Sequence, residues 1–128
     1  MLIYRLEHRE ERYGPYNCQY PVSFSLSRLH YDDPQRPVWC QDGLVGKYRS
    51  HEHRFGFDQL GKAFDWFEDA LEYLDEFLLV VYECPDEEVV SSKSGRQLVF
   101  THHKSEEVGV IPFLDAYILE SAPIVKTH

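Results

Sequence analysis

From Leu60 to Leu74 the apolar residues return every three or four positions, and from Phe77 they fuse into an unbroken run that ends at Glu83. At 100° per residue, Leu60, Ala63, Phe67, Ala70, Leu71 and Leu74 share one side of a helix, with Phe64 flanking them. No proline interrupts the pattern, and Asp58 stands where an N-cap belongs, so the spacing predicts a helix over about 59–76 with Gly61 as its weak point. The run after it, rich in branched residues and closed by Pro85, reads as a buried strand. A helix that delivers directly into a buried strand needs a sheet to lie on, and this requirement limits the fold more than any other feature.

Further strands supply that sheet. Residues 2–7 alternate, placing Leu2, Tyr4 and Leu6 on one face, and Gly14-Pro15 then marks a turn. Residues 22–29 alternate as well and are compatible with a second strand or a short helix. The segment 31–46, with Asp32-Asp33-Pro34, Pro37, Asp42-Gly43 and Gly46, reads as a long surface loop. A loop of that length is functional or conceals an element. Residues 86–95 form a connection, and Arg96 to Thr101 alternates into a late strand after the Ser94-Gly95 turn. For 110–125 two readings stand: a last strand at Ala116 to Leu119, or a short helix started by Pro112. The expectation is one α+β domain over 1–128, a mostly antiparallel sheet packed on one main amphipathic helix.

Composition excludes several classes. With 128 residues, 43% of them hydrophobic, the chain can bury a core of its own. Its longest apolar run is far too short for a membrane span, and no signal-peptide pattern opens it, which predicts a cytoplasmic protein. Three cysteines (Cys18, Cys40 and Cys84) without a C-x-x-C pair read as free thiols acting as small core hydrophobes. A net charge of −9 argues against direct nucleic-acid or anionic-membrane binding and permits a basic partner.

The charge is also unevenly placed. Residues 63–92 contain ten acids and no lysine or arginine, while the rest of the chain carries 12 acids and 13 bases. On an ideal helix Asp65, Glu68, Asp69, Glu72 and Glu76 fall within about 100° of arc, opposite the apolar stripe. Like charges at i,i+4 cost about 0.2–0.5 kcal/mol per pair, so a helix shaped for stability alone would interleave lysines. Trp66 and Tyr73 fall between the acidic face and the core, where aromatic residues make good contact anchors. The expectation is a negative docking face for a basic protein surface, formed by these five acids with Trp66 and Tyr73. The bland alternative is a solvated helix that aids solubility.

Other candidates are weaker. His51-Glu52-His53 would put two imidazoles on one side of a strand, and His8, His30 or His102-His103 could add to them, but the short pattern alone predicts no metal site. Arg5 on the first strand needs a carboxylate such as Glu7 or Glu83, or an anionic ligand. No P-loop, G-x-G-x-x-G or G-x-S-x-G is present, no nucleophile–base pair can be named from spacing, and no cofactor or catalytic residue is expected.

Tyr4-Arg5-Leu6-Glu7-His8, Gly14-Pro15-Tyr16, His53-Arg54-Phe55-Gly56-Phe57, Trp66-Phe67, Val81-Tyr82-Glu83 and Gly95-Arg96-Gln97-Leu98-Val99-Phe100 together resemble a family of short phage and prophage proteins. In that setting a small one-sided acidic protein resembles phage inhibitors of bacterial defence, including anti-CRISPR proteins. The resemblance implies a nucleic-acid-binding defence complex as partner, in the host cytoplasm. A second resemblance is to ADP-ribosyltransferases, through the order of Arg5, Ser23-Phe24-Ser25 on a second strand and Gln97 on a late one. Those enzymes generally carry glutamate at the last position, which puts transferase activity in doubt.

Overall fold

A computed structural model describes residues 1–17, 19–49 and 51–121. Among these the fold is α+β, with two three-stranded antiparallel sheets and three α-helices. The apolar run becomes β3 (Phe77–Glu83), the centre of the first sheet. β1 (Leu2–His8) flanks it on one side and β6 (Glu106–Pro112) on the other. The second sheet places β5 (Leu98–Thr101) between β2 (His53–Gly56) and β4 (Val89–Ser91). Sequence reading missed β4 and β6. β4 is three residues long, and β6 is an edge strand of mostly exposed residues, so neither carries a strong burial pattern.

The two sheets meet where Tyr4 and Phe57 exchange a pair of backbone hydrogen bonds, each 2.8 Å. Gly56 makes the meeting possible: a Cβ there would lie 2.5 Å from Ile3 Cγ2 and 3.1 Å from the Tyr4 carbonyl. β1 is therefore buried on both faces. Tyr4 and Leu6 point to the helices, with Phe57, Phe67, Phe77, Leu79 and Phe113. Ile3 points to the second sheet, with Val80, Tyr82, Leu98 and Phe100.

The segment read as strand or helix is α1 (Pro21–His30). Pro21 suits a first helical turn, and Ser23, Leu26 and His30 recur at helical spacing on the buried side, whereas Phe24 is 50% exposed under Arg28. The alternatives at the other end resolve as α3 (Phe113–Ser121), which follows Pro112 and buries Phe113 and Ala116. The rest of that apolar tail, 122–125, lies outside the described residues.

The main helix is shorter than expected. α2 covers Leu60–Phe67, and Glu68–Tyr73 continue as a tighter 3-10 turn that breaks at Ala70 (φ −126°, ψ 19°). Two causes combine. The Arg36 guanidinium donates to the carbonyls of Trp66 and Asp65, satisfying acceptors of the last turn as a C-terminal cap. Beyond it, the like-charge pairs oppose further α-helix. Asp58 does not cap α2: Gln59 holds the cap position, and Asp58 pairs with Lys62 at 2.8 Å.

The long 31–46 loop is anchored from within. Asp42 is buried and accepts from Ser94 N (2.8 Å), Ser94 Oγ (2.7 Å) and Gln97 Nε2 (3.0 Å), tying the loop to the turn before β5. Trp39–Gln41 form a single 3-10 turn just ahead of it. Of the cysteines, Cys84 is a core residue as expected, but Cys40 is exposed on this loop. Cys18 lies outside the described residues.

Candidate functional site

The end of α2 disperses the acidic face that an ideal helix would assemble. Asp69 turns inward to His30 Nε2 (2.9 Å) and Arg36 Nη2 (3.1 Å). Glu76 lies 3.5 Å from His8 Nε2. Asp65, Glu68 and Glu72 remain exposed, with no ion pair among the described residues. Asp65 and Glu68 border a depression of about 360 Å³ together with Lys62, Arg36 and Arg96, which moderates the local negative field. Tyr73 is half-buried against the helical core. Trp66 corrects the expectation of an aromatic at the rim: it is 7% exposed, and its indole N–H donates to Tyr16 Oη at 2.6 Å.

Arg5 is more informative. Its side chain faces the second sheet, 9% exposed, with Nε donating to Glu7 at 3.1 Å and Nη1 to the Phe55 carbonyl at 2.8 Å. Glu7 also accepts from Arg12 Nε (2.8 Å) and from the Tyr82 hydroxyl, and Arg12 reaches on to Glu107. Burial pulls the Arg5 guanidinium below its ordinary pKa, and Glu7 opposes that shift. Burial likewise raises the Tyr82 phenol, reinforced by its bond to Glu7. Of the two expectations for Arg5, the carboxylate partner is Glu7.

Beside Arg5 opens a cleft of about 940 Å³, between the β1–β2 junction, the connection from β1 to α1, the end of α1 and the anchored loop. Arg5, Arg12, Arg36 and Arg54 line it with His30 and His53, and among the described residues no carboxylate does. Along one part of the lining Trp39, Tyr48 and Phe55 form a ladder, with ring centroids 5.3 and 4.5 Å apart.

Another part holds a hydrogen-bonded chain from Trp66 through Tyr16 and His30 to Asp69. Burial lowers the His30 pKa, so the ring is neutral at pH 7. The Asp69 carboxylate requires a donor, which puts the proton on Nε2 and leaves Nδ1 to accept from the Tyr16 hydroxyl. Burial pushes that phenol well above its ordinary range, so it holds its proton.

Sequence reasoning missed Arg36, Trp39 and Tyr48, named His30 only as a possible addition to a histidine cluster and Tyr16 only within a family motif, because these residues come from separate segments and follow no periodic pattern. The one available signal was the improbable length of the 31–46 loop. The histidine cluster does not assemble: His53 Nδ1 accepts from the Arg49 amide, His51 pairs with Glu52, and no metal-holding group of three occurs among the described residues. The order of residues likened to ADP-ribosyltransferases is not met either. Ser23 and Ser25 sit on helix α1, and Gln97 is spent on Asp42 and the Pro37 carbonyl.

A family model described as Bacteriophage T4 Y00F protein matches residues 1–114. The chain belongs to that phage protein family. The match takes in β1 through β6 and the opening of α3, and so every residue of the acidic segment and of the cleft. Searches of curated proteins and of solved structures found no match. Among the described residues of this Y00F-family protein no helix is long and apolar enough to cross a membrane.

Proposed function

We propose that this Y00F-family protein is a phage-encoded inhibitor that binds a basic protein surface in the bacterial host cytoplasm. The surface belongs to a nucleic-acid-binding defence complex, which the protein engages in the manner of an anti-CRISPR DNA mimic. The observation that supports this reading is that Asp65, Glu68 and Glu72 are exposed and make no ion pair among the described residues, in a chain of net charge −9. A surface built to receive phosphates would meet them with its own lysines and arginines, and long-range attraction would speed encounter. Asp69 and Glu76 act in this reading through the neighbours they orient, since each is matched inside the molecule. Tyr73 borders the patch, and Trp66 supports it from below.

The test is capture from a host lysate on the immobilised protein, beside a variant carrying Asp65→Lys, Glu68→Lys and Glu72→Lys. All three sites are exposed, so the variant should fold. The expected result is a retained nucleic-acid-binding complex that the variant loses, with an association rate that falls steeply as salt is raised. Equal capture by both proteins would remove this face from consideration.

A further inference from the structure

We propose that the cleft beside Arg5 is a binding site for a nucleoside phosphate. Three observations converge on that chemistry. The first is charge: in a chain with 22 acids and 13 lysines and arginines, four arginines line one concavity and among the described residues no carboxylate joins them. The carboxylates paired with Arg5, Arg12 and Arg36, namely Glu7, Glu107, Asp33 and Asp69, stand outside the lining.

The second is the state of Arg5. Its Nε and Nη1 are committed to Glu7 and the Phe55 carbonyl, which hold the guanidinium plane rigid, whereas Nη2 has no partner among the described residues. Gly14 lies over Nη2, with a position for Cβ only 3.0 Å away, so the lack of a side chain there keeps the donor open. A pre-positioned guanidinium edge binds an oxyanion more strongly than a free surface arginine does.

The third is the aromatic ladder. Phe55, whose carbonyl holds Arg5, is also the inner rung below Tyr48 and Trp39. An oxyanion site and a group of mutually tilted aromatic rings, any one of which offers a face to a base, therefore share one residue. The volume of about 940 Å³ falls within the range of small-molecule sites. A nucleic-acid polymer fits less well, because a net charge of −9 repels a long polyanion.

Calorimetric titration of the full chain with ADP, adenosine and inorganic phosphate tests the assignment. ADP should bind with a Kd in the micromolar range, and adenosine and phosphate about tenfold more weakly or worse, since each uses one part of the site. Gly14→Ala, which sets a methyl against Nη2, should weaken ADP by about fivefold or more. Trp39→Ala, on a half-buried ring outside the Arg5–Glu7 network, should weaken ADP and adenosine together and leave phosphate unchanged. It decides the matter if the first variant fails to fold. No heat with ADP at about 1 mM, ADP no tighter than adenosine, unchanged ADP affinity in the folded variants, or binding of oligonucleotides alone would each overturn the proposal. The acidic patch contributes nothing to this cleft, so neither result bears on docking by Asp65, Glu68 and Glu72.

Discussion

Asp42 carries the long loop on a single carboxylate. Burial pushes its pKa up, but hydrogen bonds from Gln97, Ser94 and Ser92 outweigh that and hold the carboxyl below its ordinary value. Asp42→Ala strands the Gln97 amide and the Ser94 donors, and is expected to cost about 1–3 kcal/mol in denaturant unfolding. The same change should raise amide exchange across 37–44, because Asp42 is what ties that stretch to the β4–β5 turn. An unchanged midpoint would show that water replaces these bonds at no cost. Arg5 was legible as a residue in need of an anion, since a charge inside a strand pattern is conspicuous. Asp42 was not, because an aspartate before a glycine looks like ordinary turn chemistry, and only contacts with residues some fifty positions later make it an anchor.

At the level of elements, the fate of α2 turns on Arg36. Its guanidinium is fixed between the Trp66 and Asp65 carbonyls and the carboxylates of Asp33 and Asp69, which ends the helix and directs the acidic turn that follows. Arg36→Ala is expected to lower stability by about 1–3 kcal/mol and to free Asp69 from one of its two partners. Arg36→Lys should recover little of this, because a point charge cannot serve carbonyl and carboxylate acceptors as a planar fork does. Thermal and urea denaturation of the two variants checks both statements, and full recovery by lysine would reduce the role of Arg36 to charge alone. Apolar periodicity correctly located α2, β3 and the strand at Leu98. It overextended α2, since the stripe continues through Leu71 and Leu74 although the backbone changes its winding at Phe67. Side chains can keep facing a core across such a break, so the pattern does not report it.

Across the whole molecule, the buried His30 and the half-buried His102 contribute to the response to mild acid. Burial depresses the pKa of His30 and of His102, with Arg54 adding to the effect at His102. Both rings therefore bind protons less readily folded than unfolded. As pH falls through about 6.5 the unfolded chain takes up protons first, and stability drops until the folded pKa values are passed. Asp42 and Asp33, held below the ordinary carboxylate pKa, add a second loss that begins only as pH falls below about 4. Melting curves between pH 7.5 and 5 should show the first decline, and His30→Gln should reduce it. A midpoint independent of pH over that window would contradict the burial of these rings.

The residue string by itself determined the α+β class, the main helix and its following strand, and the crowding of negative charge into 63–92, because each is a local pattern or a sum over composition; its short motifs carried the resemblance to a phage family. Only the tertiary structure decided which of those acids stay unpaired, that Trp66 is an interior residue, and that Arg5, Arg12, Arg36 and Arg54 share a cleft that no carboxylate lines among the described residues. The physical reason is that pairing and burial depend on atoms brought within a few ångströms of one another. Here the β1–β2 junction, the end of α1 and the loop held by Asp42 bring together residues separated by tens of positions along the chain.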